Sequence, residues 1–73
     1  MQVLGQRVFI KAVTKPGLLG GEEVDYYEVA FIGKDCEHVS VGDRVIPPLH
    51  APSYEHEGVK YSVVDEEEVI AII

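Results

Sequence analysis

The chain has 73 residues, with 13 acidic against 6 basic side chains and a formal net charge of −7. That length allows one small domain, burying only about 62% of the surface its unfolded chain exposes. The charge argues against a nucleic-acid groove or an anionic membrane surface, and the single cysteine excludes an internal disulfide framework.

Val8, Ile10 and Ala12 alternate with Arg7, Phe9 and Lys11. Period-two spacing with β-branched and aromatic residues predicts a strand over about 7–13. Thr14-Lys15-Pro16-Gly17 ends it, because Pro16 has no N–H for a ladder and Pro-Gly is turn chemistry. Leu18 and Leu19 then stand between Gly17 and Gly20-Gly21. Breakers on both sides predict a loop over 14–23. A second strand is expected over Val24–Ile32, with Tyr26 and Tyr27 as packing residues, and Gly33-Lys34-Asp35 as its terminating turn.

Val39 and Val41 lead to Gly42-Asp43, a hairpin-type dipeptide, and to a strand Arg44–Ile46 stopped by Pro47-Pro48. Residues 49–58 read as irregular or weakly extended. A turn at Gly58 opens a strand Val59–Val64, with Val59, Tyr61 and Val63 on one face. Asp65-Glu66-Glu67-Glu68 reads as a solvated acidic turn or one helical turn, with Asp65 as N-cap. Short strands with Gly and Pro punctuation, and no helical pattern of ten residues, predict an all-β fold, a small antiparallel barrel or sandwich.

The segment Val69-Ile70-Ala71-Ile72-Ile73 does not alternate. A half-buried strand has one polar face, whereas both faces here are apolar. A bare apolar edge is an aggregation hazard and needs cover on two sides. A core this small rarely supplies both. The expectation is that another copy of the protein covers one side; a central strand buried in a single barrel is the alternative.

Val39-Ser40-Val41-Gly42-Asp43-Arg44-Val45-Ile46 resembles the Val-x-Val-Gly-Asp-Lys/Arg-Val stretch of the GroES-type co-chaperonins, the chaperonin-10 family. Glu57–Ile73 is similar to that family's ending: acidic turn, strand, short acidic segment, apolar strand. Leu4-Gly5-Gln6-Arg7-Val8-Phe9-Ile10-Lys11 resembles its opening Leu-x-Asp-Arg-Val-Leu-Val-Lys, with Gln6 where Asp is usual. Tyr27–Gly33 sits where the family has a Gly-x-Val-x-Ala-Val-Gly strand. The likeness covers nearly the whole chain as one domain, in order.

The resemblance implies a GroES-like β-barrel assembled into a homoheptamer, the first strand of one subunit meeting the last of its neighbour. Val3, Leu4, Val8, Val69, Ile70, Ile72 and Ile73 are the expected interface residues. It also implies a mobile loop that binds a GroEL-type chaperonin ring and assists ATP-dependent folding. Gly17, Leu18, Leu19, Gly20 and Gly21 are the expected chaperonin-binding residues. The alternative for Leu18 and Leu19 is that they fold back and cap one end of their own barrel. The family loop is longer, its Gly pair precedes three apolar residues, and its roof hairpin is missing here, where Gly33–His38 makes a short link. Small members of this kind resemble virus-encoded co-chaperonins.

No catalytic constellation, cofactor or metal site is expected. Cys36, His38, His50 and His56 lack zinc-ligand spacing, and no phosphate loop of Walker or Rossmann form occurs. Met1-Gln2-Val3-Leu4-Gly5 lacks the apolar stretch of a signal peptide, so the cytoplasm is the expected compartment. A GroES-fold structural ring or decoration protein without chaperonin binding is the main alternative function. A dehydrogenase fragment is a lesser one, because Val-Gly-Asp-Arg-Val also occurs in the GroES-like domain of zinc-dependent dehydrogenases.

Overall fold

A computed structural model describes all 73 residues. Six strands form one antiparallel sheet: β1 (Arg7–Pro16), β2 (Glu22–Ile32), β3 (Arg44–Ile46), β4 (Ser53–His56), β5 (Val59–Asp65) and β6 (Ala71–Ile72). A 3-10 turn, Glu66–Glu68, joins β5 to the last segment. The order across the sheet is β4-β5-β1-β2-β3-β6, so β4 and β6 are its two edges. The fold is all-β and antiparallel, as the punctuation of the sequence predicts. No helix is long and apolar enough to cross a membrane.

Alternation decides which side chains enter the core. Val8 and Ile10 point inward from β1 and meet Val29 of β2, Val45 of β3, Val64 of β5 and Val39 of the β2–β3 connection. These residues come from both flanks of the β1–β2 pair, so the sheet must curl around them. Register shifts between Phe9 and Ile10 and between Val13 and Thr14 supply bends of that kind. Val8 is 0% exposed. Five of the six core residues are valine, whose stiff branched side chain suits a pleated surface.

The outer face of β1 carries a second cluster. Phe9 lies edge-on to Phe31 at 6.2 Å and to Tyr54 at 6.1 Å, and Tyr61 packs 5.8 Å from Phe9 and 5.6 Å from Phe31. Such aromatic pairs add about 0.5–1.5 kcal/mol beyond their buried area. The face of Val59, Tyr61 and Val63 predicted from period two is this outer one, while Val64 on the opposite face joins the core. Tyr27 packs against the core, and the Arg44 guanidinium sits 3.9 Å over the Tyr26 ring.

Three boundaries differ from expectation. The loop assigned to 14–23 is half strand. The β1–β2 ladder continues through Thr14↔Val24, Lys15↔Glu23 and Pro16↔Glu22, leaving only Gly17–Gly21 as the turn. Pro16 is tolerated because it is the last residue of its strand. Within 49–58, read as irregular or weakly extended, Ser53–His56 is the strand β4, paired with β5 from Ser53↔Ser62 to His56↔Val59. Of the apolar segment 69–73, only Ala71–Ile72 is strand.

The β4–β5 turn explains why β4 escapes a sequence reading. Glu57 and Gly58 both have positive φ, 52° and 81°, which is the backbone of a two-residue type I′ hairpin turn. Asn or Gly normally occupies the first position; Glu does so at a conformational cost of about 1 kcal/mol or more. Glu57→Asn is therefore expected to stabilise the protein by about 0.5–1 kcal/mol, read as a higher urea midpoint at unchanged slope. An unchanged or lower midpoint would mean that Glu57 makes a compensating contact.

Candidate functional site

The tip of the β1–β2 hairpin presents the first candidate surface. Gly20 N–H donates to Gly17 O at 3.4 Å, closing a four-residue turn with Leu18 and Leu19 at its two corners. Gly17 N–H donates to Gly21 O at 3.0 Å. Gly20 and Gly21 have φ of +89° and +73°, a left-handed path that only glycine follows without strain. The backbone of the turn is thus fully specified by its glycines. The leucines contribute nothing to it: Leu18 is 99% and Leu19 102% exposed. The fold-back onto the barrel end does not occur.

The neck below the tip is a two-stranded ribbon. Beyond the Ile10–Val29 pair, residues 11–16 extend for about 20 Å at strand spacing. Lys15 Nζ lies 3.8 Å from a carboxylate oxygen of Glu23 and 3.8 Å from one of Asp25, and the Thr14 hydroxyl donates to Glu22 at 3.3 Å. These exposed contacts are individually weak. They nevertheless leave the ribbon with four acidic groups, Glu22, Glu23, Asp25 and Glu28, against two lysines, Lys11 and Lys15.

The two sheet edges present the other candidate surfaces. β6 pairs on one side with β3 through Val45↔Ile72 and Ile46↔Ala71. Ile70 N–H donates to Ile46 O at 2.9 Å and Ile73 N–H to Arg44 O at 2.8 Å. Its other side is an edge, and Ile70, Ile72, Ile73, Ile46 and Leu49 remain exposed around it. An adjoining groove is lined by Val24, Tyr26, Val45, Pro47, Leu49 and Ile73. At the far edge, Met1, Leu4, Arg7, Phe9, Tyr54 and His56 line a second groove beside β4.

The residues expected at a subunit contact therefore divide. Leu4, Ile70, Ile72 and Ile73 are exposed, and Val69 is half-buried against the core. Val3 and Val8 are corrected: both are enclosed by their own chain. Val8 belongs to the core, and Val3, 8% exposed, bridges to Gly33 in parallel. Leu49, Ile46, Met1 and Tyr54 are exposed as well, and no sequence pattern marks them. Leu49 follows Pro47-Pro48 and has no periodic neighbours, so only its exposure in the fold identifies it.

The acidic run also differs from expectation. Glu66 is not solvated: it is 6% exposed, and its Oε1 accepts backbone N–H groups from Glu37, at 2.8 Å, from His38, and from Val39, at 3.1 Å. The His38 N–H, followed by those of Glu37 and Val39, holds the carboxyl below the usual carboxylate range against the opposing effect of burial. Glu68 reaches back to the Asp65 N–H at 3.0 Å, which makes Asp65 the N-cap. The Cys36 thiol approaches Arg7 O at 3.6 Å, and burial pushes its pKa up, which leaves it a weak nucleophile. Cys36, His38, His50 and His56 do not come together; no group of three or more His, Cys, Asp or Glu is placed to hold a metal ion.

No family model matches the chain, and no curated protein or solved structure matches it either.

Proposed function

We propose that the chain is a subunit of a GroES-type co-chaperonin: a ring that caps a GroEL-type chaperonin through its hairpin tips and performs no chemistry of its own. The single observation that carries this reading is the pair of fully exposed leucines at the corners of a glycine-framed turn. A leucine in water forgoes about 1.5–3 kcal/mol that burial would return. Nothing in the turn's own geometry requires leucine there. A surface that keeps two of them exposed is one that hands them to a partner.

The edges support the assembly. β4 and β6 lie at opposite ends of the sheet order, and each adjoins exposed apolar side chains. Two different patches on one subunit associate head to tail, and such contacts close into rings when the rotation allows. The number seven comes from the resemblance alone. Several tethered tips bind through effective concentration, so each can be weak and still release. The cytoplasm, where a GroEL-type partner works, is the proposed compartment.

The test uses purified GroEL-type chaperonin with nucleotide. The unaltered protein is expected to bind it, to modulate its ATPase, and to have a native mass near seven times 8.1 kDa. Leu18→Ala with Leu19→Ala is expected to lose about 4 kcal/mol per tip, close to a thousandfold, with native mass and melting unchanged. Wild-type binding by the double variant defeats the tip assignment. A stable monomer defeats the ring.

A second reading is a structural ring or decoration protein of the same fold. It is favoured by the short Gly33–Asp43 connection, which Glu66 ties down at 37–39 where a roof would rise. Ring formation with no recovery of chaperonin in a nucleotide-dependent pull-down would select it.

A further inference from the structure

Resting on the co-chaperonin reading, we propose that the hairpin is a preformed finger whose receiving site is an apolar cleft with cationic side chains at its mouth. Two features of this chain define that complement. The tip is apolar and uncharged, being Gly17-Leu18-Leu19-Gly20-Gly21. The neck directly behind it is acidic, with Glu22, Glu23 and Asp25 against Lys15, a net charge of −2.

The finger is already shaped. Its ladder runs from the core pair Ile10↔Val29 to Pro16↔Glu22, with one bulge at Asp25 between Val13↔Tyr26 and Thr14↔Val24. An isolated two-stranded ribbon is marginal in water, but this one is the extension of two central strands. Binding then spends little on ordering the backbone, and each tip keeps more of its burial free energy. The leucines enter first, at the corners of the turn. The neck stops at the rim of whatever they enter, so rim charges face Glu22 and Glu23.

Lys15 lies within 3.8 Å of both Glu23 and Asp25 and offsets one of the three negative charges locally. Glu22 is engaged only with the neutral Thr14 hydroxyl. The unbalanced charge therefore centres on the β2 arm at Glu22 and Glu23, next to the tip. A cleft rimmed with carboxylates would repel the neck; one rimmed with Lys or Arg would steer it. Rim pairs of this kind contribute about 0.2–1 kcal/mol each and are screened by salt.

The experiment measures binding of the intact protein to purified GroEL-type chaperonin with nucleotide, at 50 mM and 500 mM sodium chloride. The probes are the unaltered protein, Glu22→Gln with Glu23→Gln, and Leu18→Ala with Leu19→Ala. The unaltered protein is expected to weaken by roughly tenfold across that range, as rim pairs are screened. The glutamine variant is expected to bind about tenfold more weakly at 50 mM and to show little salt dependence. Both glutamates are exposed, so its melting and native mass should match the parent.

Salt-independent or salt-strengthened binding, or a glutamine variant that binds like the parent, overturns the cationic rim and leaves the chaperonin reading standing. Absence of any binding by the unaltered protein overturns both. A native mass that falls in the Leu18→Ala, Leu19→Ala variant would place the finger on a sister copy instead and also overturn the proposal. Protection of the residue 13–15 and 22–26 amides against hydrogen exchange in the free protein checks the preformed shape; exchange at unfolded rates there overturns it.

Discussion

Gly33→Ala is expected to remove most of the protein's stability. Gly33 follows β2, and its N–H donates to Arg7 O at 2.8 Å. The N-terminal segment crosses directly over it: Val3 bridges to Gly33, and Asp35 N–H donates to Gly5 O at 3.0 Å. A Cβ at Gly33 would lie 2.1 Å from Gly5 O, 2.8 Å from Gly5 C and 3.0 Å from Leu4 O. All three are backbone atoms, so no side chain can swing aside. Gly33 is needed for the close approach rather than for a left-handed φ.

Relief requires residues 3–5 to lift away. That lift exposes Val3 and breaks the bond from Asp35. Overpacking costs about 1–3 kcal/mol even where the surroundings yield, and two fixed carbonyl oxygens yield little. A core of this size supplies roughly 3–5 kcal/mol in total. The expected result is a fall in melting temperature on the order of 15 °C, measured by circular dichroism. In the proposed ring, where the groove of Met1 and Leu4 beside β4 would receive a neighbour, native mass should fall with it. A variant that melts like the parent would show that the N-terminal segment does not rest on Gly33.

The parts of this fold that were legible in the sequence are those whose cause is local. Val8 and Ile10 alternate with Arg7 and Phe9, and the strand they announce is the one observed. Leu18 and Leu19 among glycines announce a turn, and the turn is there. Its extent was not legible, because Thr14–Pro16 and Glu22–Val24 are strand only by pairing with each other. β4 was hidden for a similar reason: Glu57 holds a positive φ that its residue type does not advertise.

The candidate surfaces divide along the same line. Val69–Ile73 announced an incomplete strand from composition alone, and β6 is an edge with its isoleucines exposed. That β3 would take its other side depends on a partner more than twenty residues away. Val3 and Val8 look as apolar as Leu4 in the sequence. Only the curl of the sheet and the seat on Gly33 separate enclosed residues from exposed ones. Glu66 is indistinguishable in sequence from Glu67 and Glu68, since the amides that single it out lie 27–29 residues earlier.

Those three amides make Glu66 the site of the second large effect, and its sign follows from the direction of its pKa. The folded-state pKa is lowered, chiefly by the N–H of His38. A lowered carboxyl contributes stability that is fully present above the ordinary carboxylate range. That stability is lost as pH falls through that range towards the folded-state value. Charged oxygen also accepts more strongly than a neutral amide. At pH 7, Glu66→Gln is therefore expected to melt roughly 10 °C below the parent, because three donors keep only a weaker acceptor.

Every other side chain is common to both proteins, so the gap between them isolates Glu66. As pH falls through the ordinary carboxylate range towards the lowered folded-state value the gap should close, because the parent's Glu66 takes up its proton. A gap that stays constant with pH would mean that Glu66 acts by packing and not by charge. The position of the carboxylate gives the result a second consequence. Glu66 stands between β5 and the segment that becomes β6, and it grips the connection that leads into β3. β3 is the only strand to which β6 is bonded. Loosening this one side chain should therefore free the exposed isoleucine edge before it disturbs the valine core. Faster hydrogen exchange at Ile70 and Ile73 than at Val29 in the glutamine variant would show that order of events; uniform loss would show that the edge has no separate anchor.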